Sequence, residues 1–375
     1  YGGIMSWVYG ILCLIFLILF HEFGHFVAAK IFGVKVESFS IGMGPVLLHK
    51  KFGDTDFRLS LLPLGGYCGM KGEKDFQKAV ESGLTEIVAD KDSFYGVHPA
   101  KRALIGFAGP FFNFIFAVIG YAIINMIGYT YTTASNKIIL PTEAESKYTY
   151  ARDAGLLTGD KILSINGNKT EYWDDITQNI IIRPDEDIVI VVERDGKELT
   201  FNAHTGLDKS QGIGVLGIKA DSQNLIKRDS PKYSFFPAFG HGFLDTINTI
   251  KITFKSLGVL FKGVEIKNTV SGIGRVTDML GTSVASGFKH DVKTGFIAMF
   301  DLMAIISVSL AVMNLLPIPV LDGGLILIAV IECIIRRKIK PKVQYYIQFI
   351  GIAFIALCLV LAIYGDISYF TNRGK

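Results

Sequence analysis

The chain has 375 residues, of which 50% are hydrophobic and 19% charged, and its mean hydropathy is +0.40. That balance is too apolar for an ordinary soluble chain of this length and points to membrane segments. A formal net charge of +4 is too small to argue for nucleic acid, and four cysteines without short spacing, at 13, 68, 333 and 358, argue against a disulfide framework or a Cys-type zinc site.

A helical crossing needs roughly 20 predominantly apolar residues. Four stretches qualify, about 4–29, 103–129, 296–316 and 345–365. The first runs into His21-Glu22-Phe23-Gly24-His25 with no small-residue cleavage pattern, so it is expected to remain as a span. Between the first two spans lie basic residues from Lys30 to Arg102, and before the fourth come Arg336-Arg337-Lys338, Lys340 and Lys342. By the positive-inside rule both loops are expected in the cytoplasm, with residues 130–295 outside.

Residues 34–72 alternate, as in Val34-Lys35-Val36-Glu37-Ser38-Phe39-Ser40-Ile41, and glycines at 42, 44, 65, 66 and 69 punctuate them. They are expected to form β-hairpins at the membrane interface or inside a protein cavity, because lipid cannot satisfy an open sheet edge. Residues 137–206 turn soluble in composition. A helix is expected over Trp173–Ile182 and a hairpin over Ile188–Arg194, Asp195-Gly196 and Lys197–Ala203, together one small mixed α/β module. Residues 230–265 are rich in Phe, Tyr and Lys and are expected to lie as amphipathic segments on the outer membrane surface. Val320 to Ile335 is apolar but short, a partial helix at most.

His-Glu-x-x-His on a helix places two imidazoles one turn apart on one face, where both can bind a zinc ion and the glutamate can take a proton from its water. Ionisable groups inside an apolar span are costly, which makes His21, Glu22 and His25 functional candidates. The alternative is a wet helix end just past the membrane. A third ligand is needed, and the best candidate is Asp322, after the helix-breaking Pro317 and Pro319 and before Gly323-Gly324. The bland reading of Asp322 is a helix cap. Asp301 and Glu332 are weaker candidates, and histidines 49, 98, 204, 241 and 290 receive no ligand role.

His-Glu-x-x-His in the first span, Gly109-Pro110 with Asn113 in the second, and the Asn-x-x-Pro-x-Pro-x-Leu-Asp-Gly-Gly run from Asn314 to Gly324 occur in this order. Together they resemble the site-2 protease family of intramembrane zinc metalloproteases, and within it the bacterial RseP-type group. The run Ala154-Gly155-Leu156-Leu157-Thr158-Gly159-Asp160-Lys161-Ile162, followed by Ile165-Asn166-Gly167, resembles that group's PDZ domain. The likeness extends from about residue 6 to 365. It departs in three places: one PDZ-like module where some relatives have two, no Gly-Φ-Gly-Φ loop before Ala151, and no proline within Ser271-Gly272-Ile273-Gly274.

The resemblance implies zinc ligands His21, His25 and Asp322, with Glu22 as general base and Asn314 beside the substrate or reacting carbonyl. The Leu64–Met70 hairpin resembles the family's membrane-reentrant β-loop, which makes Gly65, Gly66 and Tyr67 substrate-binding candidates.

The expected fold is a polytopic α-helical membrane protein of about four transmembrane helices, with membrane-associated β-hairpins and an inserted extracytoplasmic PDZ-like α/β domain. Its expected divisions are 1–33 (first span), 34–101 (β region and cytoplasmic loop), 102–130 (second span), 131–225 (PDZ-like), 226–294 (interfacial) and 295–375 (third and fourth spans). The expected activity is zinc-dependent cleavage of transmembrane segments. Its substrates would be pre-trimmed single-pass membrane proteins such as anti-sigma factors, and signal-peptide remnants. The expected location is the bacterial inner membrane, with the active site toward the cytoplasm; the lipid bilayer is a partner and nucleic acid is not. The competing classes are a non-catalytic PDZ-bearing receptor or scaffold, and a metal transporter.

Overall fold

The computed structural model describes residues 3–221, 223–264 and 271–373. Tyr1-Gly2 and positions 265–270, the latter inside the stretch expected at the membrane surface, lie outside the described residues. The chain divides into two units. The first comprises residues 1–127, 233–250 and 272–366; the second comprises 128–232, 251–271 and 367–375.

The chain opens with α1 (Ile4–Ile31), whose buried face Ser6, Gly10, Cys13, Leu17, His21, His25 and Ala28 recurs every three or four residues. Small residues on that face let neighbouring backbones approach, as in membrane-embedded packing generally. Then β1 (Val36–Phe52) and β2 (Thr55–Met70) form a sheet with a doubled register. Phe52 pairs with Thr55 and Leu48 with Leu59, while Phe39 lies opposite both Phe57 and Cys68. Residues 38–41 are therefore flanked by 56–59 on one side and 66–69 on the other. The expected hairpins are thus one bent sheet made by two long strands, and its 66–70 stretch is an edge with no further strand beside it among the described residues.

A short amphipathic helix, α2 (Glu73–Glu81), precedes α3 (Pro99–Ile127), which contains Pro110. In the second unit, β3 (Thr130–Ala134) and β4 (Ile138–Ile139) lead through a single turn, α4 (Tyr150–Asp153), to β5 (Lys161–Ile165) and β6 (Asn168–Lys169). Next come α5 (Trp173–Ile181), β7 (Asp187–Arg194), β8 (Lys197–His204), β9 (Gly206–Asp208), β10 (Ile213–Val215), β11 (Lys219–Ala220) and β12 (Leu225–Asp229). The central sheet has the order β6-β5-β7-β8. Alternation explains β7: Ile188, Ile190 and Val192 face a core shared with Ile162, Ile165, Ile176 and Leu156. Arg194 clamps the buried Asp160 with two hydrogen bonds of 2.7 Å, and β12 pairs with β3 where the unit is entered and left.

The aromatic stretch after Lys232 is one helix, α6 (Phe235–Val259), rather than several segments. Its first half packs on α3, where the Tyr121 and Thr249 hydroxyls lie 2.9 Å apart and Asn125 donates to Asp245 at 2.8 Å. The remaining helices are α7 (Ile273–His290), α8 (Val292–Leu315), α9 (Asp322–Ile335) and α10 (Pro341–Arg373). The Asp366 carboxylate accepts from the Gly272 and Gly274 amides at the start of α7, which supplies this proline-free helix entry with a cap. Among the described residues four helices are long and apolar enough to cross a membrane: α1, α3, α8 and α10. The last runs beyond the expected 345–365 at both ends because polar residues there, such as Lys342 and Asp366, still fit the helix. With 14 residues, α9 is too short for a crossing, as its sequence suggests.

Candidate metal centre

His21 and His25 stand one turn apart on α1, their rings 4.9 Å between centroids and nearly perpendicular, with Nε2 atoms 3.2 Å apart. Each ring is held through its other nitrogen by α3. His25 Nδ1–H donates to the Ile105 carbonyl at 2.8 Å, which leaves Nε2 with the lone pair a metal requires. His21 Nδ1 lies 3.1 Å from the side-chain amide of the fully buried Asn113. The Asn113 Oδ1 is without a hydrogen-bond partner, and a half-turn of the amide brings it to accept from His21 Nδ1–H. Both imidazoles then present lone pairs to the same point.

Gly109 makes room for this arrangement. A Cβ there would collide with His25 Nε2 and come within 2.8 Å of His21 Cε1. The small residues of α3 form a close packing face: Gly109 lies against the imidazoles of α1, the Ala108 carbonyl against Gly24 of α1, and Gly106 against Ile326 of α9.

Asp322, the first residue of α9, completes the cluster. Its Oδ2 is 3.1 Å from His21 Nε2, without hydrogen-bond geometry, and its Oδ1 is 3.4 Å from His25 Nε2. The local sequence produces this reach. Pro317 and Pro319 end α8 and prevent its continuation, and the chain folds back so tightly that a Cβ at Gly323 or Gly324 would strike the carbonyls of Leu316 or Ile318. Val320 sits at φ 84°, a conformation a β-branched residue adopts only under constraint from its surroundings.

The donor set fits zinc. Nitrogen and oxygen ligands at about 2.0–2.1 Å from a tetrahedral ion lie about 3.3 Å from one another, and the three separations here are 3.1, 3.2 and 3.4 Å. Among the described residues this is the group of His, Cys, Asp and Glu side chains whose ligand atoms all lie within 4.8 Å.

A cavity of about 520 Å³ opens beside the cluster, lined by Glu22, Asn314, Gly65, Gly66 and Tyr67 among others. Glu22 lies beside the sheet edge. Asn314 places its amide nitrogen 3.5 Å from His21 Nε2. Gly65 is in the left-handed region at φ 96°, and a Cβ at Gly66 would come 3.6 Å from Glu22 Cγ. The Tyr67 hydroxyl accepts from Arg58 Nη1 at 3.1 Å.

The two weaker ligand candidates lie elsewhere. Glu332 is buried against Arg102 of α3 and accepts from the Ile339 amide at 2.8 Å, its negative charge already neutralised. Asp301 is not part of the ligand group. Two features escaped the sequence reading: the role of Asn113 as a partner of His21, and the buried Arg102–Glu332 pair. The signal for the second was a lone arginine and a lone glutamate bordering apolar helices, each of which needs a counter-charge.

Two imidazoles and a carboxylate around one point, with a glutamate between the two histidines on a membrane helix, define a membrane-embedded metallopeptidase. Peptidase family M50 matches residues 9–358, and the chain belongs to this family, the site-2 proteases. Similar proteins include one from Treponema pallidum (strain Nichols), 33% identical over 96% of this chain and 98% of its own length. Another, from Campylobacter jejuni, is 34% identical over 96% and 92%, and one from Clostridium acetobutylicum is 30% identical over 95% of each. All three carry zinc metalloprotease in their names. The chain is a zinc metalloprotease of this family, and the receptor, scaffold and transporter classes have no observation in their favour.

Proposed function

We propose that this protease cleaves transmembrane segments of single-pass membrane proteins whose outer domains have already been trimmed, anti-sigma-factor-like proteins and signal-peptide remnants among them. His21, His25 and Asp322 hold the zinc. When bound, zinc supplies Lewis acidity, which makes water a competent nucleophile near neutral pH and polarises the scissile carbonyl. Glu22 accepts a proton from the attacking water and returns it to the leaving amine. The Asn314 amide donates to the oxygen that gains charge in the transition state. Ile105 and Asn113 keep the imidazoles oriented through the reaction.

A helical peptide bond is shielded from attack, so the substrate must be unwound first. The edge at Gly66–Met70, with Glu22 beside it at Gly66, supports recognition by strand addition, in which an extended segment pairs with the sheet and passes the base. The inserted module acts as a PDZ-like domain outside the cytoplasm and screens substrates by size. The protein resides in the bacterial inner membrane, its active site toward the cytoplasmic face, a placement supported by the basic residues of the loops before α3 and α10.

The convergence of His21, His25 and Asp322 beside Glu22 carries this reading. Its test compares wild type with Glu22→Gln on a trimmed single-pass substrate, with zinc measured on both. The variant is expected to keep its zinc and lose about 10²–10⁴-fold in rate, the usual contribution of a general base. Undiminished cleavage by Glu22→Gln would remove the glutamate from the mechanism.

A further inference from the structure

A second cavity, of about 730 Å³, adjoins the first, and Cys68, Met70, Phe94 and Leu325 line both. The remaining walls include Phe76 and Val80 of α2, Tyr95 and, from α10, Tyr345. Phe76 and Tyr95 stack at 5.6 Å. The sheet edge joins the two chambers: Gly65, Gly66 and Tyr67 line the first alone, Gly69 the second alone. An extended chain that follows the edge out of the metal centre therefore enters the second chamber.

Spacing along the edge sets how far from the scissile bond the occupant lies. Glu22 approaches the edge at Gly66, where a Cβ would lie 3.6 Å from its Cγ, and Gly69 and Met70 at the second chamber follow three and four residues on. A strand advances about 3.3 Å per residue, so a paired substrate reaches the aromatic walls about two to four residues from the bond attacked. Antiparallel pairing is the slightly more stable sense. It runs the substrate toward Gly65 as β2 runs toward Met70, which places residues N-terminal to the scissile bond in the second chamber. Gln77, Glu81 and Gln348 also line it, Gln77 donating to Glu81 at 3.0 Å, and the stacked rings and aliphatic walls favour a large apolar side chain there.

We infer that the chamber bounded by Phe76, Val80, Tyr95 and Tyr345 is a specificity pocket for a large apolar side chain two to four residues N-terminal to the scissile bond. This rests on the strand-addition reading above and adds to it a defined subsite.

The test measures kcat/KM for a trimmed single-pass substrate varied one position at a time over five residues on each side of its cleavage site. Wild type is expected to prefer Leu or Phe over Ala by about 10-fold or more at one position in the N-terminal window, the range that apolar pockets reach. Val80→Trp, which fills the chamber, brings that ratio close to one at that position alone. Tyr345→Ala widens the exposed mouth and shifts the preference toward Trp; zinc content of both variants shows that the fold is kept. A flat wild-type profile in the N-terminal window, a selective position on the C-terminal side, or variants that change every position equally would each overturn the inference while leaving the protease reading intact. Failure of wild type to cleave any membrane segment, with a soluble unfolded peptide still cleaved, would take the substrate reading down and this inference with it.

Discussion

α9 carries two acids ten residues apart, the half-buried Asp322 and the buried Glu332, and they behave differently. Asp322 faces two imidazoles that converge on one point. Glu332 faces the Arg102 guanidinium, and its other oxygen accepts from the Ile339 amide and from Gln344 at 3.2 Å. One acid is surrounded by atoms with lone pairs to offer, the other by donors. A carboxylate among other ligand atoms attracts a cation, whereas one among donors is already neutralised, so the partners separate a metal ligand from a structural charge.

Replacing each acid is the most direct way to break this comparison. Asp322→Ala is expected to abolish zinc binding and cleavage while the protein still folds. Glu332→Ala leaves Arg102 buried without a counter-charge, which costs about 3–5 kcal/mol, and any loss of zinc should follow unfolding. Thermal unfolding in detergent, read beside zinc content, separates the two. The double variant Arg102→Met, Glu332→Leu should recover stability to wild type or above, because well-packed apolar residues often replace a buried ion pair without loss. If the double variant instead loses zinc while folded, Glu332 belongs with the site after all.

A smaller effect is expected behind the ligands. Asn113→Leu removes the partner of His21 Nδ1 and should weaken zinc affinity about 10–100-fold, as loss of outer-shell partners typically does. Asn113→Asp keeps an acceptor at the same place and should restore most of it. Competition against a graded series of chelators measures both. Equal affinity in Asn113→Leu and wild type would make the asparagine a packing residue only.

These residues also show what the sequence could and could not disclose. The histidine pair is local, four residues on one helix, and spacing alone makes it legible. Asp322 was legible because an aspartate between a proline break and two glycines has few other uses inside apolar sequence. Asn113 and Glu332 act across 92 and 230 residues, and no local pattern announces such partners. The same holds for the sheet. Alternation disclosed strands within 34–72, but the placement of 38–41 between two stretches of β2 is set by tertiary packing. Composition marked the inserted module as soluble, and the alternation in Ile188–Val192 gave its hairpin; the amphipathic stretch 230–265 was legible, but not that it holds one 25-residue helix, α6, because its apolar residues surround polar ones without a clean period.

The smallest effects return to the two ends of α9, each preceded or followed by a non-glycine residue with positive φ, Val320 at 84° and Arg336 at 52°. Arg336 ends the helix in the left-handed conformation that glycine adopts freely, so Arg336→Gly should stabilise the protein by about 1 kcal/mol and leave zinc affinity unchanged. Val320→Gly relieves strain of about 1–3 kcal/mol but gives back about 0.5–1 kcal/mol through the freedom glycine regains when unfolded. The net gain in stability is therefore similar to that at Arg336. Zinc should distinguish them, because Val320 lies two residues before Asp322 in a segment that must hold the carboxylate within 3.1–3.4 Å of the imidazoles. A more stable Val320→Gly protein with weaker zinc binding would mean that the strained turn positions the ligand. Stability and zinc affinity rising together would mean that the strain opposes metal binding, and that the two ends of the helix differ only in the acids they carry.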